Sequence, residues 1–260
     1  VVECKAGQKR EMKFVITDDC ANTSTLAFEI EGKADSDCFK GEIKADAPVV
    51  LHNHDFAAKV DDTFSVVIPK GSLYESIALE NFSRSEIVPK ADSTVKVLSA
   101  AYTLHDSGTP LQSNVALIFS VPVAKELQAH TTMASVSSSG RISNAGGKYK
   151  HNRLVGRTRT FGTYCLVADI TPPTIRPLFE DGADCSKVDR ISFRLSDNFA
   201  GVSSYSVSID GKWVPVQYSR GRVTVNLKAE GIKGGKSHKV DITIRDSCGN
   251  RAKWSGTIKR

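Results

Sequence analysis

The sequence predicts an all-β chain of tandem β-sandwich domains. Three observations predict it. Short runs alternate apolar and polar residues between turn-forming residues, helical periodicity is scarce, and residues 5–32 recur in altered form at 233–260. The length of 260 residues exceeds what one sandwich of about 100 residues needs, so more than one domain is expected.

In chain order, the first alternating run is Phe64, Val66 and Ile68, followed by Val115, Leu117 and Phe119. Ile191, Phe193 and Leu195 make the next, then Val223, Val225 and Leu227, then Val240, Ile242 and Ile244. Period-two spacing places each set on one face of a strand, with the other face toward water. Two places suggest helix: Val123 to Ala134 as a short helix, and Ser72 to Ile77 as a single turn. Ser135–Lys150 is rich in Ser, Gly and Asn and reads as a mobile loop or a hairpin with a loose tip.

The recurring segment aligns without gaps at an offset of 228. Lys5, Gly7, Ile16, Asp18, Cys20, Asn22 and Ile30 match Lys233, Gly235, Ile244, Asp246, Cys248, Asn250 and Ile258. Average composition would give roughly one or two such identities. Apolar character is also kept, with Met12 against Val240, Phe14 against Ile242 and Leu26 against Trp254. Each copy reads as strand, Asp-x-Cys-(Ala/Gly)-Asn turn, strand, with Asn or Gly taking positive φ. This is the closing hairpin, strands F and G, of an Ig-like sandwich. Residues 1–36 are thus expected to be the tail of a truncated Ig-like domain, and 171–260 a whole one. A different β unit, 45–170, lies between them. The extended Thr171-Pro172-Pro173-Thr174 marks its end. A lone hairpin is marginal in water, so the first segment is expected to need further strands or a neighbour.

The formal charge of +6 is uneven: residues 171–260 carry sixteen bases and nine acids, while 34–170 carry fourteen of each. That excess favours an anionic partner such as a cell-wall polymer, although the charges are scattered as on an ordinary solvated surface. No run of about 18 apolar residues occurs. Six widely spaced cysteines without a C-x-x-C pair lean toward an oxidising compartment rather than a zinc ribbon. In the sandwich topology the F–G turn lies at the end where strand A begins. This suggests the pair Cys165–Cys248, and Cys4 and Cys38, flanking the first hairpin at its opposite end, suggest Cys4–Cys38, although connectivity is not readable from sequence.

Four motifs belong together: I-P-K-G-S-L-Y-E at 68–75, T-P-L at 109–111, F-G-T-Y-C-L-V-A-D-I-T-P-P-T-I at 161–175 and S-D-N-F-A-G-V-S-S-Y-x-x-x-I-D-G-K-W-V at 196–214. With them the chain resembles the C-terminal, non-catalytic region of M23-family (lysostaphin-like) metallopeptidases of Bacteroides-type bacteria. The resemblance implies a ZU5/GAIN-like domain over 45–170 between Ig-like sandwiches, and a periplasmic or outer-membrane-associated setting. It implies an accessory, non-catalytic role beside an N-terminal zinc peptidase domain, the expected partner, with peptidoglycan or another anionic envelope polymer as a further partner. Zinc belongs to that absent domain, and no cofactor is expected in this chain. A stand-alone adhesive or glycan-binding module is the alternative.

Catalytic groups are not assembled in the sequence. The peptidase motif needs a histidine upstream of an H-x-H, but His52-Asn53-His54 contains the first histidine of the chain. His52 and His54 would share a side of a strand and are weak metal candidates, short of the three ligands a hydrolytic zinc needs; a polar turn before the strand at Phe64 is the expected reading. His105-Asp106 reads as a turn, and Thr103-Leu104-His105 lacks the His-Leu-Ser/Thr order of self-cleaving GAIN domains. Asp197-Asn198 with Gly201, and Asp210-Gly211, look like fragments of calcium loops, but the acids stand isolated and both spots read as turns. Trp213, Tyr218 and Tyr205 could stack on sugars from a sandwich edge, yet core or rim packing is the expected role, as for Trp254. The bases Lys148, Lys150, Arg153, Arg157 and Arg159 lack the aromatic interleaving of a nucleic-acid surface.

Overall fold

The computed structural model describes residues 4–32 and 47–260, which fall into two compact units, each taken by itself below. The Cys4–Cys38 pairing lies outside the described residues, since Cys38 does; so do the boundaries expected at 36 and 45.

The first unit is a two-stranded antiparallel hairpin, Lys9–Thr17 with Thr23–Glu31. The second recurs 228 positions later as Ser237–Asp246 with Arg251–Lys259. Even the register repeats: Phe14 opposes Leu26 as Ile242 opposes Trp254. In each turn the leading aspartate clasps the asparagine. Asn22 donates its backbone N–H to Asp18 Oδ1 (2.8 Å) and its Nδ2 to Oδ2 (2.8 Å). Asn250 does the same to Asp246, at 2.8 and 2.7 Å. The residue before it takes positive φ, Gly249 at 84° and Ala21 at 64°. The expected Asn or Gly therefore holds for the second turn only. Ala21 carries a Cβ in the left-handed region, a strain of roughly 1–2 kcal/mol.

The described residues between form a two-stranded sheet, Val49–Val50 with Ile77–Ala78, and two large ones. One has the order Lys148–Lys150, Arg153–Thr160, Pro110–Phe119, Phe64–Ile68, Phe56–Lys59. The other runs Ile142–Gly146, Thr131–Val136, Gly162–Asp169, Tyr102–Leu104, Ser83–Arg84, with Val95–Val97 also paired to Gly162–Asp169. The alternating sets Phe64/Val66/Ile68 and Val115/Leu117/Phe119 face inward and are fully buried. Their centre is an aromatic cluster: Phe64 stacks on Tyr102 at 4.6 Å and tilts against Phe119 at 4.9 Å between ring centroids. The expected helix over Val123–Ala134 reduces to one 3-10 turn, Gln128–His130. Residues Thr131–Val136 pair on both sides as a strand, where their β-branched residues fit a pleated surface. Ser72–Ile77 makes no helical turn; Leu73 bridges Leu111, and Ile77–Ala78 is a strand. The Ser- and Gly-rich stretch 135–150 is ordered into strands.

Residues 174–259 form a second pair of sheets. Thr174–Pro177, Arg190–Ser196, Arg222–Asn226 and Gln217–Ser219 make one. Ala183–Asp184, the repeated hairpin, Val202–Ile209 and Lys212–Val214 make the other. Phe193, Val207, Val223, Val225, Val240 and Ile242 fill the space between them. Trp254, partly buried, packs edge-on against Phe179 and Phe193 at 5.7 and 5.4 Å between ring centroids, at the margin of this core.

Candidate functional site at the domain junction

The strand Gly162–Asp169 ends with its last side chain fully buried, 0% exposed, where the central domain meets the C-terminal sandwich. A buried carboxylate must be hydrogen-bonded to be tolerated. Asp169 Oδ1 accepts from the Thr171 backbone N–H (3.1 Å) and Asn198 Nδ2 (3.4 Å), and Oδ2 accepts from the Ala200 N–H (3.0 Å). Its backbone oxygen accepts from Asn250 Nδ2 at 2.8 Å. Asn198 also donates to Thr94 Oγ1 (2.9 Å), Asn144 to the Ala200 carbonyl (3.0 Å), and the Thr171 hydroxyl to the Thr94 carbonyl (3.2 Å). Phe199 inserts beside Val95, Ala134, Cys165 and Val167 of the central domain. The Pro172-Pro173 linker thus runs beside a hydrogen-bonded, partly apolar seam.

Two sandwich turns supply the rest of the site. In the 197–201 loop, Asp197 Oδ2 accepts from the backbone N–H groups of Phe199 (3.1 Å) and Gly201 (2.7 Å), with Gly201 at φ 78° closing the turn. Asp197 Oδ1 is buried with no hydrogen-bond partner. The 246–250 turn brings Asp246, 1% exposed. Oxygens of Asp169, Asp197 and Asp246 lie within 4.8 Å of one another. At that distance each ionised pair repels by roughly 3 kcal/mol at an effective dielectric of about 20. Among the described residues no Lys, Arg or His forms an ion pair with any of the three. Burial, reinforced by the charges of Asp169 and Asp197, pushes the Asp246 carboxyl above its ordinary value despite the Asn250 hydrogen bonds. The Cys248 thiol beside them is pushed up to about 12 by burial and the same carboxylates. A cleft of about 580 Å³ reaches Asp246 and carries Lys148, Lys150 and Arg245 on its walls.

The other expected sites fall elsewhere. Cys165 and Cys248 are both free, which overturns the Cys165–Cys248 pairing. The turn carrying Cys248 docks on Asp169, four residues further along the strand than Cys165. Four strand residues span about 13 Å, beyond disulfide reach. His52 and His54 sit in a turn after the strand Val49–Val50, the polar turn expected ahead of the strand at Phe64 and not the shared strand face a metal would need. Their Nδ1 atoms contact different partners, Ser76 Oγ (3.1 Å) and Asn53 Oδ1 (2.6 Å). His105 sits at φ 57°, contacts Thr109 Oγ1 at 3.1 Å and packs edge-on against Phe161. Asp210 is tied to the Lys239 N–H (2.9 Å) and the His238 ring (2.8 Å), a turn anchor rather than a calcium loop. Trp213 is 68% exposed on an edge strand, so of the expected core or rim packing the core position is corrected; Tyr205 and Tyr218 are exposed too, stacked on each other with ring centroids 5.2 Å apart. Lys212–Val214 is an edge strand that buries Val214, and alternation turns Trp213 to the open face. Asp169 and Asp246 escaped sequence reasoning as site residues. The identity of Asp18 and Asp246 across the repeat was the available signal.

Residues 50–169 match the family model of the Zu5-like domain. No curated protein matches the chain. Among solved structures, the chain is similar to an endo-β-1,4-mannanase from Thermotoga petrophila at 20% identity. That alignment covers 35% of this chain and 20% of the mannanase, with a TM-score of 0.30. Fibronectin(III)-like modules of Clostridium thermocellum CbhA align at 13% identity over 56% of this chain and 83% of theirs, with a TM-score of 0.29. This chain therefore spans about one fifth of the mannanase's length.

Proposed function

We propose that this chain is a non-catalytic accessory β region of a secreted M23-family zinc metallopeptidase, holding the peptidase domain at a set position on peptidoglycan. The four motifs of residues 68–214 support the parentage, and the Zu5-like domain at 50–169 agrees with an accessory β architecture. The buried seam carries the positioning role. Asp169, Asn198, Ala200 and Asn250 tie two domains across the linker, where a flexible spacer would need none of these bonds. The basic excess of residues 171–260 suits an anionic envelope polymer as partner, in the periplasm or at the outer membrane. Zinc chemistry belongs to the peptidase domain.

The test is a parent protein with its zinc peptidase domain encoded ahead of Val1. Removing residues 47–260 should lower digestion of intact sacculi by about tenfold or more, through lost effective concentration. Cleavage of soluble wall peptides should stay within about twofold. Equal loss on both substrates, or an upstream coding sequence without a peptidase domain, rejects the reading. A second reading, a glycan-binding module, is favoured by Trp213, 68% exposed on an edge strand. Retention on a glycan array that is lost in Trp213→Ala would support it.

A further inference from the structure

We propose that Asp169, Asp197 and Asp246 form a calcium-binding site that fastens the C-terminal sandwich to the Zu5-like domain. The three carboxylates come from three separate places, the last strand of one domain and two turns of the next. Their oxygens converge within 4.8 Å. Two of the side chains are fully buried, at 0% and 1% exposure. A second observation points to a ligand. Asp197 turns Oδ2 onto the amides of its own loop, while Oδ1 is buried with no partner. A buried carboxylate oxygen left bare costs several kcal/mol in general, and a cation removes that cost.

The chemistry selects the ion. All-carboxylate donors suit a hard cation, not zinc or copper. Magnesium demands a near-ideal octahedron at about 2.1 Å and gives up its waters reluctantly, a poor match to three carboxylates fixed by separate turns and a strand. Calcium takes six to eight oxygens in flexible geometry, so water and backbone carbonyls complete the shell beside three carboxylates. Asp197, only partly buried, is the side from which an ion can enter. The groups facing Asp246 are Asp169, Asp197, the Cys248 thiol and the Asn250 amide, with Lys148, Lys150 and Arg245 on the cleft wall. None of these bases is close enough to neutralise the cluster as an ion pair.

The tightening of the joint rests on the positioning role proposed above; the binding does not. The experiment uses the full 260-residue chain, stripped with a chelator and titrated calorimetrically with calcium chloride alone. One calcium per chain is expected, with Tm raised by about 3 °C or more at about 5 mM calcium over chelator. Asp197→Asn keeps an oxygen for its loop amides and should weaken binding by about thirtyfold or more, while Asp62→Asn binds like the parent. If Asp197→Asn does not fold, Asp246→Asn takes its place. No heat and no Tm shift at about 5 mM calcium, unchanged binding in Asp197→Asn, or an equal response to magnesium overturns the site. Scattering profiles with and without calcium separate the two ideas: binding that leaves the inter-domain distances unchanged removes the fastening role but not the ion.

Discussion

Asp18 and Asp246 hold the same place in two copies of one hairpin, yet their surroundings push them in opposite directions. Each receives two hydrogen bonds from the asparagine four residues on. At Asp18 those bonds, led by the Asn22 side chain, hold the carboxyl below its ordinary value. At Asp246 burial comes first and two neighbouring carboxylates add to it, so the same bonds are outweighed. The cysteines two residues on differ likewise: Cys20 is exposed, while Cys248 is buried and raised to about 12. Burial alone raises Cys165 to about 12. Thiolates are the reactive form, so these two should be inert in the folded protein. Mapping by alkylation and mass spectrometry should label Cys20 in native conditions, and Cys165 and Cys248 only in denaturant. They should label there without any reductant; protection in denaturant that a reductant releases would restore the disulfide.

At the scale of the element, the hairpin was legible in the sequence because strand alternation and the Asp-x-Cys-x-Asn turn are local properties. Its burial was not. Ile242 is 1% exposed beneath the opposing sheet, while its counterpart Phe14 is 50% exposed and stacks on Phe28, diagonal to it across the hairpin, with ring centroids 5.9 Å apart. Chemical denaturation should therefore separate the pair. Ile242→Ala should cost about 2–5 kcal/mol, and Phe14→Ala below about 1 kcal/mol. Comparable losses at both would mean that the first hairpin is covered in solution. The stretch Val123–Ala134 misled for a related reason. Its residues suit either period, and pairing with Gly162–Asp169 and Ile142–Gly146 selected strand. Trp213 follows the alternation of its strand, but that strand lies at the sheet edge, where one face stays open.

Over the whole molecule, acid stability should reflect two opposed sets of carboxylates. Asp92, Asp181, Asp184 and Asp210 sit below their ordinary value through hydrogen bonds from Thr94, Thr257, Ser186 and His238 respectively. Asp61 is lowered as well: burial raises it, but Thr63, Tyr102 and backbone amides prevail. Stability from these groups is present above their unfolded value near 3.8 and is lost as pH falls through their depressed folded values. Asp246 has the opposite sign: its contribution is complete below its unfolded value and is lost as pH rises through its raised folded value. In chelator, Tm from about pH 4 to about pH 8 should peak on the acid side of neutrality. Asp246→Asn should flatten the decline toward neutral pH. A decline that survives this substitution would place the titrating group elsewhere.

The sequence by itself determined the alternating strands and the repeated hairpin, because period-two burial and turn chemistry act over a few residues. Only the tertiary structure decided that Asp169, Asp197 and Asp246 meet, that Cys165 and Cys248 do not, and that Phe14 and Ile242 differ in burial. Charge repulsion, disulfide reach and burial depend on distances between residues far apart in the chain. Those distances are set by how sheets and domains pack, which no local spacing records.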